Sequence, residues 1–469
     1  MDNSFEKKLK EVLNSKAFIR FDSFLIREMG FQLVGNDEDD AIRKEALKEF
    51  RKRTKNYEFV TAPTLRKWFG IGGYSKPSRD IIIEICFALG VGKEKTAEYL
   101  TKGLGEPSFQ INDYQEMVFL YGLEHDVSYE NCLKMIDIFE ENLDNEILFS
   151  KTHSTRELFT QYQKTKDMDM QAFIFWMTER ADWFRGYSVT TLDYMVHYRT
   201  AIIEYIRKDA KEYLEYMLTE AGYYRWVKLH GVGKKNTKDS IQKFVNRKDK
   251  TGTYYVSIDD RKSILEMTKL AYSEKDTNVQ ILAEVFSVSD NVIQKNDTGR
   301  YDNIRKMSGK YISDLFNVPV HKEHSIKVAQ ALRTLKKMGE NEECPEWINN
   351  IAKECIKHNE SFENVKEAYD ILNSYAKEHK RRTILIKRGD ILPLVFHLSQ
   401  RRYMSQHEDE YDMETAKQSF LKLADATLVA CNMEKVNAEY ELDMALLACF
   451  QEDDMYQYSD VLDVIYSRE

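Results

Sequence analysis

The chain has 469 residues, 42% of them hydrophobic and 31% charged, a balance that supports buried cores and excludes disorder as the general state. Its formal net charge of −9 excludes a uniformly cationic nucleic-acid coat. Only 6 prolines and 19 glycines occur, so turn-forming positions are sparse and the expected fold class is mostly α.

Cys86, Cys132, Cys344, Cys355, Cys431 and Cys449 form no CxxC pair and read as reduced core residues in a reducing compartment. The opening MDNSFEKKLKEVL has no apolar signal core, and no apolar run reaches spanning length, so a cytoplasmic protein without a membrane anchor is expected. Charge is unevenly spread. Arg43 to Arg79 holds eleven basic and three acidic residues, and Arg225 to Lys250 nine and two. Gly389 to Glu469 holds six basic and seventeen acidic residues. Basic faces for anionic partners are expected in the first half, with an acidic C-terminal module suited to a protein partner.

In chain order, the spacing predicts an amphipathic helix over 4–14 and helical continuation over 18–29, broken by the acidic stretch Asp37–Asp40. A strongly basic helix follows over 41–53, and Thr61 is placed to cap a short helix over 62–69. Ser78 is placed to cap a helix over 79–89, in which Ile82, Ile85, Cys86 and Leu89 repeat at i, i+3, i+4 and i+7. Helices continue over 93–101, 114–124 and 128–140. The middle is helical and aromatic-rich, with Phe173, Phe175, Trp176, Trp183 and Phe184 ahead of Tyr194, Tyr198 and Tyr205. Aromatics at that spacing read as core. Residues 253–257 are the best β-hairpin candidate, and helices resume from 308 to the end. These elements divide the chain into N-terminal helices (1–42), a module with a helical extension (43–145), an aromatic-rich helical domain (146–300) and a C-terminal helical domain (301–469).

An internal echo runs through this order. Arg79–Gly90 aligns without gaps on Arg388–Ser399, which sets Ile82 on Ile391, Ile85 on Leu394, Phe87 on Phe396 and Leu89 on Leu398. Glu116-Met117 falls on Asp443-Met444, and Leu133 and Ile136 fall on Leu462 and Ile465. A degenerate second copy over 388–466 is expected, without the short basic helix at 62–69.

The segment TLRKWFGIGGYSKPSRDIIIEICFALG, Thr64 to Gly90, resembles the recognition-helix end of the XRE, or Cro/repressor-like, helix-turn-helix family. There a short recognition helix leads through a glycine turn and Lys-Pro-Ser to an apolar helix ending Ala-Leu-Gly. The likeness continues through KEKTAEY at Lys93–Tyr99 and looks like a Firmicutes subgroup in which a helical extension follows the module. It covers about residues 60–140. The resemblance implies a bacterial, non-catalytic regulator that binds double-stranded DNA as a homodimer. Thr61, Thr64, Arg66, Lys67, Tyr74, Lys76, Ser78 and Arg79 are the expected DNA-binding residues. Arg66 and Lys67 would read guanine edges and Thr64 a thymine methyl. Lys76 and Arg79 would neutralise phosphates beside the free N–H groups at Ser78–Asp80. Leu65 and Trp68 would be the inward side.

No catalytic residue, metal site or cofactor is expected. Gly231-Val-Gly-Lys-Lys lacks the full phosphate-loop pattern, and its surrounding cations with Tyr223, Tyr224 and Trp226 read more simply as a solvated loop. His321 with His324 reads as a surface turn rather than a metal pair, and His397 and His407 are no better placed. No Ser-His-Asp, kinase or HExxH signature occurs. The alternative function is a helical scaffold or adaptor, for example in a phage-defence or signalling assembly, whose module makes protein contacts.

Overall fold

The first helix, α1 (Asn3–Ser15), sends its apolar stripe to the far end of the chain. Phe5 and Leu9 are buried in the C-terminal core, and Phe5 stacks on Tyr456 with ring centroids 3.8 Å apart. The computed structural model describes residues 3–15, 20–35, 38–55, 57–143, 155–230, 238–247, 256–272, 285–286, 311, 314–315, 318–356, 358–379, 385–407 and 411–466. Among these the protein is helical, with one isolated bridge between Phe450 and Met455 and no other strand pairing.

Buried side chains gather into four cores, and these group the helices differently from the divisions read in composition. The N-terminal core unites α2 (Phe21–Glu28), α3 (Asp39–Arg53), α4 (Ala62–Trp68), α5 (Arg79–Leu89) and α6 (Lys93–Glu98), which continues as a wider turn over Tyr99–Gly103. It also takes in α7 (Tyr114–Glu124), α8 (Tyr129–Glu141), α9 (Thr155–Thr165) and α10 (Met170–Thr178). The helical run is broken between α2 and α3 as expected, but α3 starts at Asp39, inside the acidic stretch. Asp39 and Asp40 sit in its first turn, where carboxylates face unpaired N–H groups, and Asp39 also accepts the Val34 N–H at 2.8 Å. The aromatic-rich segment belongs to this core: Phe173, Trp176 and Phe184 are buried, Trp183 packs at its margin, and Phe175 faces solvent.

A single helix of 32 residues, α11 (Val189–Glu220), then serves two cores. Its length of about 48 Å lets Met195, Tyr198, Ile202 and Ile206 join the C-terminal core while Ala210, Leu214 and Leu218 join another. That other core is completed by α12 (Tyr223–His230), α13 (Lys238–Val245) and α14 (Ile258–Tyr272). The hairpin expected over 253–257 lies largely outside the described residues; Val256 and Ser257 are irregular and lead into α14. A separate core is built by α15 (Val318–Lys337), α16 (Glu346–Cys355) and α17 (Val365–His379). The C-terminal core holds α18 (Arg388–Gln406), α19 (Met413–Ala430), α20 (Glu441–Leu447) and α21 (Tyr458–Tyr466). No helix among the described residues is long and apolar enough to cross a membrane.

The cysteines are free, and five of the six are buried. Burial pushes the Cys86 and Cys132 thiols up to about 12 and those of Cys344 and Cys431 up to about 11, far from the thiolate that nucleophilic or redox chemistry needs.

His397 on α18 is the buried imidazole of the C-terminal core. Burial, helped by Arg401, lowers its pKa to about 4 from an ordinary 6.5. The folded state therefore holds the neutral ring while the unfolded chain protonates first. This contribution is complete above about pH 6.5 and is lost as pH falls toward 4, a change of roughly 3 kcal/mol. Unfolding free energies measured between pH 7 and 4.5 are expected to fall less steeply for His397→Gln than for the parent. Equal slopes would show that the buried ring is not the titrating group.

Candidate nucleic-acid interface

The sequence APTLRKW forms α4 with Pro63 in its first turn, where its missing N–H costs no hydrogen bond. Thr61 stands at the N-cap in extended backbone, but its hydroxyl does not cap an N–H; it lies 3.1 Å from the Thr64 hydroxyl. The helix ends on Gly70 at φ +70°. Gly70 N–H donates to the Lys67 carbonyl at 3.1 Å and Ile71 N–H to the Arg66 carbonyl at 3.0 Å, the Schellman closure, and Ile71 is buried beyond it. The loop then folds back, with Ser75 N–H donating to the Lys67 carbonyl at 3.2 Å.

This closure orients α4. Trp68 is 1% exposed and Phe69 is fully buried, while Leu65 and Thr64 are half-buried and Arg66 and Lys67 lie exposed. From α3, the Arg43 guanidinium donates to the Phe69 carbonyl at 2.9 Å and to the buried Asp22 carboxylate. A side chain at position 70 would meet that pair, with the Asp22 carboxylate 2.7 Å from a Cβ there. Glycine is thus required twice over, by backbone sign and by the ion pair lying across it. The cationic tips of α4 are presented on a helix whose C-terminal end is fixed by three separate interactions.

A second cationic edge lies on α3. Its buried side is Ala46, Leu47 and Phe50. Steps of about 100° place Lys44, Lys48 and Arg51 along one exposed edge. The opposite edge carries Glu49 and Arg53, which pair at 2.9 Å, and Arg53 also donates to the Glu28 carbonyl of α2 at 3.2 Å. The edge facing away from α2 is therefore mainly basic, with the Glu45 carboxylate 3.6 Å from Lys48 at its margin, and the other is mixed. The i, i+4, i+7 spacing of Lys44, Lys48 and Arg51 was the signal in the sequence that could have singled these residues out.

The remaining expected residues divide. Ser78 is exposed and stands at the N-cap of α5 without a side-chain cap. Tyr74 is half-buried; its hydroxyl accepts the Phe21 N–H at 3.3 Å and its ring carries Arg20 at 4.3 Å, so it ties the loop to α2. Lys76 is half-buried, within electrostatic reach of Glu106.

Arg79 is a correction. It does not face solvent as a phosphate contact would. Its guanidinium donates through Nε and Nη2 to the two carboxylate oxygens of Glu116, both at 2.7 Å. Nη1 donates to the Pro107 carbonyl at 2.6 Å and Nη2 to that of Ser108 at 2.7 Å. The side chain is 10% exposed, and Glu106 stands 3.7 Å away. With its donors committed to fixed acceptors, Arg79 closes α5 onto the loop before α7, and the N–H groups of Ser78–Asp80 have no adjacent arginine for an anion. The physical reason is the bidentate match of guanidinium and carboxylate, which outcompetes water where both are buried.

Of the other groups weighed, Gly231–Lys235 and the side chain of His321 lie outside the described residues. His407 stacks on Tyr403 at 4.3 Å and approaches its carbonyl at 3.2 Å. Among the described residues no group of three or more His, Cys, Asp or Glu side chains is gathered as for a metal ion.

No family model matches the chain, and no curated protein or solved structure matches it.

Proposed function

We propose that the protein is a sequence-specific, non-catalytic DNA-binding regulator of the XRE helix-turn-helix type, acting as a cytoplasmic homodimer on double-stranded DNA. The observation that carries this reading is the two-sidedness of α4: Arg66 and Lys67 exposed, Trp68 buried. A helix of seven residues is about 10 Å long and enters a major groove about 12 Å wide, where arginine and lysine read guanine edges. Lys44, Lys48 and Arg51 lie on the element before it and supply phosphate contacts that set register without reading bases. Two protomers would place their α4 helices on half-sites about one helical turn apart.

The test is the pair Arg66→Ala plus Lys67→Ala in the full chain, after the preferred duplex has been selected from a random pool with the parent protein. Loss of about 1–3 kcal/mol of specific affinity is expected for the base contacts, with a shallower salt dependence. Folding stability should change by no more than about 0.5 kcal/mol, since both side chains are at the surface. Unchanged affinity and salt slope would defeat the regulator. The acidic C-terminal segment, with seventeen acids against six bases over 389–469, favours the scaffold or adaptor as the second reading. A stoichiometric protein partner recovered without DNA would decide for it.

A further inference from the structure

The arginine that opens α18 makes the same set of bonds as the arginine that opens α5. Arg388 Nε donates to Asp443 Oδ1 at 2.8 Å and its Nη2 to Asp443 Oδ2. Its Nη1 donates to the Glu434 carbonyl and its Nη2 to the Lys435 carbonyl, the latter at 2.8 Å. Atom for atom this repeats Arg79 on Glu116, Pro107 and Ser108. The acceptors keep one register: Pro107, Ser108 and Glu116 are spaced as Glu434, Lys435 and Asp443. The Gln110 N–H donates to Glu116 at 2.6 Å as the Asn437 N–H does to Asp443 at 2.8 Å.

The preceding turns agree as well. Gly105 and Asn432, each two residues before the first clamped carbonyl, are left-handed at φ +66° and φ +60°. Asparagine is the non-glycine residue that tolerates this conformation best. The helix order also corresponds, α5 to α18, α6 to α19, α7 to α20 and α8 to α21, with α18 and α19 lengthened. Burial matches along the first helix, where Ile82, Ile83, Ile85 and Cys86 answer to Ile391, Leu392, Leu394 and Val395. A shared chance preference for helix would not reproduce four donor–acceptor assignments and a left-handed residue in register.

The two clamped loops also touch. Ser108 N–H, beside one clamped carbonyl, donates to the Asn432 carbonyl at 3.0 Å. Lys387, next to Arg388, pairs with Glu106, next to Pro107, and Glu106 lies 3.7 Å from Arg79. Burial alone would push the Glu106 carboxyl up; Lys387 and Arg79 outweigh it and hold it below its ordinary value. We infer that residues 388–466 repeat the four-helix unit of residues 79–141, and that the two arginine-clamped loops, joined back to back through Glu106, Ser108, Lys387 and Asn432, open as one cooperative joint. Whether or not DNA is bound, the acidic C-terminal unit is then mechanically tied to the base of the α4–α5 segment, and such coupling must be reciprocal.

Hydrogen exchange on the full-length protein tests it, with Glu116→Gln opening the first clamp and Asp443→Asn the second. Each variant is expected to speed amide exchange about tenfold in both loops, 104–113 and 431–440. Acceleration confined to the loop whose clamp was altered overturns the coupling. Ile264→Ala, in the core of α11 to α14, is the control for general loosening, and equal acceleration of both loops by it also overturns the proposal. Should either clamp variant fail to fold, Lys387→Met leaves both clamps whole and removes one link. Faster exchange at 104–110 is then expected, and unchanged exchange there counts against the joint.

Discussion

Arg79→Ala is expected to lower the stability of the N-terminal unit by roughly 3–5 kcal/mol, the cost of breaking a buried ion pair from one side. The loss has two parts. Glu116 loses its bidentate partner in a site where its side chain is 12% exposed, and among the described residues the Gln110 N–H is the hydrogen bond it keeps. The carbonyls of Pro107 and Ser108 lose the donors that held the loop. Arg79→Lys should recover only a minor share, because a single ammonium cannot span a carboxylate edge and two carbonyls at once. Thermal unfolding followed by tryptophan fluorescence distinguishes this from the role read in the sequence. A phosphate-binding arginine would leave the melting transition in place and weaken DNA binding alone. A variant that melts with the parent would contradict the buried clamp.

Trp68→Ala is the second large effect, again about 3–5 kcal/mol, from lost burial and the cavity left by the indole. The immediate neighbours supply the contrast. Lys67→Ala and Arg66→Ala, one and two positions earlier on the same short helix, should each shift stability by less than about 0.5 kcal/mol. Such opposition within three consecutive residues measures the orientation of α4 directly. Chemical denaturation of the three single variants checks it. If Lys67→Ala destabilised as Trp68→Ala does, α4 would not present its cations outward, and the DNA-reading proposal would lose its footing whatever the binding data.

Much of this architecture is legible in local sequence. The helix over 79–89 follows from the spacing of Ile82, Ile85 and Cys86, and its stop from Gly90. The two faces of α4 follow from Arg66-Lys67-Trp68, because an indole and two cations one step apart cannot share an environment. The echo of Arg79 in Arg388 and of Glu116 in Asp443 is visible in the alignment as well. What it does not show is that the four residues form two clamps, since a lone arginine at a helix start reads equally as a phosphate ligand. Tyr74 is a similar case: only the placement of α2 against the loop shows that its hydroxyl holds the Phe21 N–H. The acidic stretch Asp37–Asp40 does separate two helices, but the second starts two residues earlier than read, since carboxylates that repel within a helix interior are favoured in its first turn.

Sequence by itself determined the helical class, the burial of five of the six cysteines within apolar patterns, and the outward cations of α4, because each depends on residues within a turn or two of one another. Tertiary structure alone decided that α1 packs against the last helices, that one long helix serves two cores, and that Arg79 turns inward to Glu116. These depend on partners tens to hundreds of residues away. A guanidinium takes its role from whether the nearest matching acceptor is a carboxylate of its own fold or an anion in solution.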